Sequence, residues 1–385
     1  MNARKVIPVT SISEFAETAI VGRAFRTMLS MLVLIWAGAA WCQIPRSLAG
    51  IAKEVPGQTH TTPASERALQ QRAQMAVNAA ANAAAANSVE RVAATLATAN
   101  YSFVIINVPN AAFVQPNAVN DAGVVAGYYD DASYNSHGFI WQDGNVTTLD
   151  YPGALQTSLT GINGYGIVSG VYTDASNNNH GFTYSLSNSV WTILPAISQP
   201  DIPGDWLWAV YQGTNLGINN HGDVIGCASH GSQALSWIWH PGSRSYSYFT
   251  IPGAAEATTC AQVFNNSGHV VGEMTAAYGT ARGSLAFLQD GEDDFQTFES
   301  TQLLTASSFF PPFGVNDSDT VVGTAASSTG LVGFIRARDG VLKIVNDTAY
   351  AQTYVTGIND HQVLVGDVYD ATTGANPGFI AYPKY

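Results

Sequence analysis

The sequence predicts an all-β fold: a six-bladed β-propeller of four-stranded blades over residues 101–385, closed by an N-terminal strand. Three observations predict it. An asparagine followed seven residues later by a glycine occurs six times: Asn120 and Gly127, Asn163 and Gly170, Asn219 and Gly226, Asn265 and Gly272, Asn316 and Gly323, Asn359 and Gly366. Successive asparagines lie 43, 56, 46, 51 and 43 residues apart, a period that belongs to propellers and solenoids. The sixth copy ends after its third strand near Tyr382, whereas an orphan strand, Phe103 to Ala111, precedes the first copy. Its Val108-Pro109-Asn110-Ala111 resembles Ile251-Pro252-Gly253-Ala254, which follows a fourth strand, so it supplies the missing strand and leaves no open end. Seven blades is the rival count, because the 56-residue interval has room for further strands.

Each repeat reads as four strands. The first ends at an apolar-Asn pair such as Ile162-Asn163 or Ile358-Asn359. A tight turn follows, as in Asn120-Asp121-Ala122-Gly123, where Asn closes on the backbone and Gly relieves the exit of a type I turn. Asp319 and Gln362 replace that Gly in the fifth and sixth repeats, so those two turns are expected to differ. The second strand is the apolar run before the fixed glycine, for example Val124-Val125. The third opens with a small residue and a ring: Gly138-Phe139, Gly181-Phe182, Ser236-Trp237, Ala286-Phe287, Gly333-Phe334 and Gly378-Phe379. A small residue beside a large ring in every repeat fits a close-packed face between sheets. Asp143-Gly144, Asp290-Gly291 and Asp339-Gly340 supply hairpin turns into the fourth strand.

Upstream of the array the chain divides into three further parts. Residues 1–42 read as an export signal: the apolar run Met28 to Trp41 follows Arg4, Lys5, Arg23 and Arg26 and closes on Ala37-Gly38-Ala39-Ala40. Cleavage is expected after Ala39 or Ala40; an uncleaved anchor, which would hold the chain at a membrane, and lipidation of Cys42, disfavoured by Trp41 before it, are the alternatives. Residues 43–63, with Pro45, Pro56 and Gly57, are a linker. Residues 64–100 form an alanine-rich helical spacer, with fifteen alanines and no Gly or Pro between Ala64 and Ala99.

Composition excludes one partner class. The 385 residues carry 15 Lys and Arg against 28 Asp and Glu, and nucleic acid needs a concentrated basic face. Within 101–385 the balance is six against 23, a net of −17, which favours neutral or cationic partners.

The phrase His-Gly-Phe after an Asp/Asn-rich turn, coupled to an upstream Gly-Ile-Asn and a downstream Pro-Gly-Ala, is carried by Asp131 through His137-Gly138-Phe139 and by Asp174 through His180-Gly181-Phe182. In this the chain resembles the bacterial HAF-repeat family of probable extracellular proteins. The resemblance covers the repeat region and implies an exported repeat protein, in a family with no established activity. The third to sixth repeats depart from it, with Leu235, Leu285, Val332 and Pro377 near the place of the histidine.

Candidate site residues follow from blade geometry. Loops joining strands two and three share a face with the inter-blade connections. That face is expected to carry Asp131, His137, Asp174 and His180 from two hairpins, and Trp206, Trp208 and Tyr211 from an inter-blade insertion, Ala196 to Asn215. A second insertion, Glu299 to Phe313, adds Phe309, Phe310 and Phe313. Rings beside carboxylates and amides suit sugars, which offer an apolar face and many hydroxyls; the competing role for these rings is to pack the insertions onto the propeller. Hydrogen bonding within their own hairpins is the expected structural role of His137 and His180; metal ligation would need at least one further ligand. Asp174, Ser176 and Asn178 hint at a calcium loop, but Ser185 stands where the ligating glutamate belongs. Cys227, at the end of the third repeat's second strand, and Cys260, before the fourth repeat's first strand, fall on one face of neighbouring blades, so a disulfide between them is expected, with two buried thiols the alternative. No catalytic or cofactor motif is present in the sequence. The expected function is an exported binding module for a glycan or an extracellular or envelope protein; a polysaccharide hydrolase or lyase on the same scaffold and a structural surface protein are the alternatives.

Overall fold

The computed structural model describes residues 97–197, 217–230, 233–249, 254–278, 281–289, 295–298, 309–327 and 330–384. Every regular element among them is a strand. After the short β1 (Ala97–Thr98) and β2 (Tyr101–Ile106), the first repeat supplies β3 (Phe113–Val119), β4 (Val125–Asp130), β5 (Ser136–Gln142) and β6 (Asn145–Thr148). The second supplies β7 (Gln156–Ile162), β8 (Ile167–Thr173), β9 (Asn179–Ser185) and β10 (Val190–Ile193). The third gives β11 (Gly217–Ile218), β12 (Val224–His230), β13 (Gln233–His240) and β14 (Ser245–Phe249). The fourth gives β15 (Ala254–Phe264), β16 (Val270–Tyr278), β17 (Ala281–Gln289) and β18 (Phe295–Phe298). The fifth comprises β19 (Phe309–Val315), β20 (Val321–Ser327), β21 (Gly330–Arg336) and β22 (Leu342–Val345), and the sixth β23 (Gln352–Ile358), β24 (Leu364–Tyr369) and β25 (Gly378–Pro383).

These strands form five antiparallel-meander sheets in a β-propeller arrangement: three of four strands, one of five, and one of eight in which the third and fourth repeats meet. That junction is a single parallel pair, Ala234↔Thr258. β2 runs antiparallel to β25 from Tyr101↔Pro383 to Ile106↔Gly378, so the N-terminal strand completes the last sheet. Apolar clusters lie between successive sheets. One joins Ile106, Val114, Phe139 and Trp141 to Val363, Val365 and Ile380, sealing the last repeat against the first.

The fixed glycines have a steric cause. They lie inside the second strand, where the sequence reading put them at its end, each opposite the ring of the third strand: Gly127↔Phe139, Gly170↔Phe182, Gly226↔Trp237, Gly366↔Phe379. A β-bulge in the first strand (between Pro116 and Ala118, Leu159 and Gly161, Val355 and Gly357) presses a carbonyl onto that glycine. A Cβ at Gly127 would meet Gln115 O and stand 2.9 Å from the Phe139 ring. The small residue before the ring points the other way, toward the next sheet: a Cβ on Gly138 would stand 2.9 Å from Leu159.

Four expectations are corrected. Ala97–Thr98, assigned to the helical spacer, instead pair parallel with β22, and Ala99 N donates to Ile344 O at 2.7 Å; an exposed strand edge offers them backbone partners. The turns at Asp319 and Gln362 match the others. Both residues take positive φ (56° and 61°), and their N–H groups donate to Asn316 O and Asn359 O at 3.0 and 3.1 Å, as Gly123 does to Asn120 O. The asparagine bonds hold the turn, and the αL cost of about 1–2 kcal/mol is absorbed. Phe309, Phe310 and Phe313 belong to β19 and not to an inter-blade insertion. Cys227 and Cys260 lie within β12 and β15, not at their ends. The signal, the linker, residues 64–96, and Trp206, Trp208 and Tyr211 lie outside the described residues.

Candidate functional site

Two hairpins and the connector between them assemble the predicted histidines and aspartates on one face. In the first repeat Asp131 Oδ1 accepts from the amides of Ser133 (2.7 Å) and Asn135 (2.9 Å), and Oδ2 from Asn135 Nδ2 (3.0 Å). This is an Asx-type turn, which Asp supports because its short carboxylate reaches the amide two residues on. His137 stacks on Tyr129 at 5.2 Å, places Nδ1 2.8 Å from Asp150 Oδ2, and Nε2 3.7 Å from Asp131 Oδ2. Asp150 comes from the connector to the second repeat, and its Oδ1 accepts from Gly138 N at 3.0 Å.

The second hairpin repeats the turn with a different histidine bond. Asp174 Oδ1 accepts from Ser176 N and Asn178 N, both at 2.8 Å, and Oδ2 from Asn178 Nδ2 (3.1 Å) and His180 Nε2 (2.9 Å). His180 is therefore bonded within its hairpin, while His137 reaches the connector. His180 stacks on Tyr172 at 4.9 Å, and Tyr172 on Tyr151 of the connector at 3.7 Å and 5°. Two side-chain runs result, His137 with Asp150 and Tyr151 with Tyr172, His180 and Asp174, and the Asp150–Tyr151 backbone joins them into one line across two repeats. Sequence reasoning missed Asp150, Tyr151 and Tyr172, whose only signal was their place beside the Pro-Gly-Ala connector and the second hairpin.

Charge on this line is set by hydrogen bonds. The His180 bond and the Asn178 amide hold Asp174 well below the usual carboxylate range. For Asp131, burial opposes the shift, but the bonds from Asn135 and Ser133 and the nearby His137 bring it down. Burial, then the Tyr151 hydroxyl, pushes Tyr172 up to about 12. Both carboxylates are anionic at neutral pH and have protein donors on every oxygen; Asp131 Oδ2, with one donor within 3.1 Å, keeps capacity to accept another. Among the described residues no three His, Cys, Asp or Glu side chains converge as a metal site.

The opposite face carries the six asparagine turns. Each Asn is buried (3–7% exposed). Its Oδ1 accepts from the amides two and four residues on, as Asn163 does from Tyr165 (3.0 Å) and Ile167 (2.9 Å). Its Nδ2 reaches across to the next repeat: Asn120 to Asn163 O, Asn163 to Asn219 O, Asn265 to Asn316 O, Asn316 to Asn359 O, and Asn359 back to Asn120 O, at 2.9–3.1 Å. Asn219 Nδ2 turns to Asp223 Oδ2 at 3.4 Å. A second set of bonds runs outside it, through Gly164 N to Asn220 Oδ1, Asn220 N to Asn266 Oδ1, Asn266 N to Asp317 Oδ1, Asp317 N to Asp360 Oδ1 and Asp360 N to Asp121 Oδ1. These turns and their first strands surround a cavity of about 110 Å³ to which all six repeats contribute. Asp360 is raised by burial, with the charges of Asp317 and Asp121 adding to it and the Asp317 amide opposing.

Cys227 and Cys260 form a disulfide, Cα–Cα 5.1 Å, that ties the third repeat to the fourth. No helix among the described residues is long and apolar enough to cross a membrane.

No family model and no curated protein matches the sequence. Among solved structures, TolB from Acinetobacter baumannii is 13% identical over 71% of this chain and 68% of its own, with a TM-score of 0.43. The SapL1 lectin in complex with alpha methyl fucoside is 12% identical over 72% of this chain and 94% of its own, TM-score 0.42. Trypanosoma rangeli sialidase is 9% identical over 76% of this chain and 56% of its own, TM-score 0.41.

Proposed function

We propose that the chain is an exported, HAF-type repeat protein whose six-bladed propeller acts as a binding module, holding a glycan or an envelope component on the hairpin-and-connector face. The observation that carries this reading is the line His137, Asp150, Tyr151, Tyr172, His180, Asp174, which sets rings beside fixed anionic acceptors. Sugar hydroxyls donate to carboxylates, and the apolar face of a pyranose stacks on a ring. Export is supported by the N-terminal apolar run and by the Cys227–Cys260 bridge, since disulfides persist in oxidising compartments.

Six blades are supported by the cyclic order of the two sets of turn-to-turn bonds, which between them link all six turns, Asn220 to Asn266 supplying the step that Asn219 does not, and return from Asn359 to Asn120. The eight-stranded sheet then counts as two blades in contact at one residue pair. An experimental density map showing five or seven blades would end that count.

A glycan array with the purified full chain tests the function. Binding that disappears in Tyr172→Ala and His137→Ala supports the site. Binding unchanged in both variants refutes the location, product release from a bound glycan favours a hydrolase or lyase, and silence across glycans and envelope extracts favours a structural protein.

A further inference from the structure

A histidine on the third repeat, on the face opposite the binding line, has the partners of an activated serine. His240, the last residue of β13, places Nδ1 3.1 Å from Asp223 Oδ1 and Nε2 2.9 Å from Ser247 Oγ. A carboxylate only accepts, so the Nδ1 proton is committed to Asp223 and Nε2 is left as the acceptor for the serine hydroxyl. Three His–Asp pairs elsewhere among the described residues, at His137, His180 and His269, have no serine on the other nitrogen.

We propose that Ser247 is a nucleophile for acyl transfer, with His240 its general base and Asp223 the positioning residue. The three come from separate elements: Asp223 from the asparagine turn, His240 from the end of β13, Ser247 from the middle of β14. Asp223 is seated firmly, since its amide donates to Asn219 Oδ1 at 3.0 Å and its Oδ2 accepts from Asn219 Nδ2. That order of acid, imidazole and hydroxyl is the arrangement that lets a serine attack a carbonyl on any scaffold that holds it.

β14 also offers a donor for the developing oxyanion. Among the described residues it pairs only with β13. In the first repeat the equivalent pairing directs Leu149 N onto Gly138 O. By the same alternation the amides of Ser245, Ser247 and Phe249 face β13, and those of Tyr246 and Tyr248 face the open edge. The Tyr248 amide, next to the nucleophile, has no strand partner among the described residues and can donate to negative charge developing on the carbonyl oxygen.

The reaction balances without a cofactor. Ser247 Oγ bonds to the ester carbonyl carbon as its proton passes to His240 Nε2; the C–O bond to the alcohol breaks, and the alcohol leaves with that proton. Water, deprotonated by His240, then adds to the acyl-serine, releasing the carboxylic acid and returning a proton to Ser247. Ser247 is exposed and His240 is 37% exposed, so the site is shallow. It suits an O-acyl ester carried on a larger molecule better than a small substrate that must be enclosed.

A fluorophosphonate probe on the full chain, read by peptide mass spectrometry, tests this independently of any glycan. The expected result is one adduct on Ser247, lost in Ser247→Ala and formed at least about a hundredfold more slowly in His240→Gln. Asp223→Asn should also slow labelling, and Asp223→Glu, which restores the carboxylate, should recover part of the rate. No adduct on Ser247, or labelling of His240→Gln at the wild-type rate, would overturn the proposal.

Discussion

The asparagine turns allow a local bond to be separated from an inter-repeat one by two single substitutions. Asn359 Oδ1 accepts from His361 N (3.0 Å) and Val363 N (2.9 Å), and its Nδ2 donates to Asn120 O at 3.0 Å; the residue is 5% exposed. Asn359→Ala leaves the buried Val363 amide without a partner, at a cost of about 1–3 kcal/mol, and removes one of two donors from the Asn120 carbonyl, which keeps Gly123 N at 2.9 Å and loses about 0.5–1.5 kcal/mol. The His361 amide is nearer solvent and finds water. The expected loss is therefore about 2–4 kcal/mol, or roughly 4–10 °C in Tm for a domain of this size. Asn219 makes the same two accepted bonds, from His221 N and Asp223 N, but its Nδ2 goes to Asp223 and not across to the next repeat. Asn219→Ala should then cost about 1 kcal/mol less than Asn359→Ala. Urea unfolding followed by tryptophan fluorescence measures both, provided the transitions are two-state with equal slopes. Equal losses, within about 0.5 kcal/mol, would refute the claim that the cross-repeat bonds stabilise the ring.

Three further outcomes follow from the same geometry. Gly170→Ala should destabilise by about 3 kcal/mol, the upper end for overpacking, because its Cβ would stand 2.6 Å from the Phe182 ring; Phe182→Leu in the same chain should recover part of the melting temperature. Reduction of Cys227–Cys260, which spans 33 residues, should lower stability by on the order of 3–4 kcal/mol in the chain-entropy model, and a denaturation midpoint unchanged by reductant would contradict it. Asp360→Asn keeps an Oδ1 acceptor for the Asp317 amide, as Asn266 does for Asn220, while removing charge beside Asp317 and Asp121. The Asp360 carboxyl is raised in the folded chain, so its contribution is intact below about pH 3.9 and falls as pH rises through the folded value. The variant should therefore match the wild type in acid and exceed it near neutrality by about 0.5 kcal/mol after screening; equal stability at both pH values would argue against charge crowding at the turns.

What was legible in the sequence was whatever repeats locally. The Asn-to-Gly spacing of seven, the hairpin Asp-Gly pairs and the strand before Pro109 all report short-range chemistry, and the strands form where they indicate. The reason for the spacing was not legible, because the bulge that presses Ser158 O onto Gly170 and the ring of Phe182 opposite it meet only once three strands are paired. The turns at Asp319 and Gln362 were misread because a positive φ was weighed without its compensation. Asp319 in that position collects His269, Asn265 and Arg338 at 2.6–2.9 Å, partners that no local window contains. His137 and His180 look alike in sequence and differ in partner for the same reason: Asp150 arrives from 13 residues downstream. The three groups around His240 are separated by 17 and 7 residues and match no motif.

The two faces of the ring therefore differ in how repetition constrains them. On the asparagine face every repeat supplies an equivalent turn, and each turn is bonded to its neighbour, so a change in one repeat is felt by the next; that is the pattern of a scaffold. On the hairpin face only the first two repeats carry the Asp, Asn and His set, and residues 101–243 contain nine Asp and Glu but no Lys or Arg. An anionic ligand there would meet Asp131, Asp150 and Asp174 with no Lys or Arg from the first two repeats to offset them, a like-charge approach that costs affinity and slows encounter. A neutral sugar meets the same carboxylates as hydrogen-bond acceptors, and an amino sugar meets them as counter-charges. The asymmetry of the repeats and the sign of the charge thus point to the same place and narrow what it accepts.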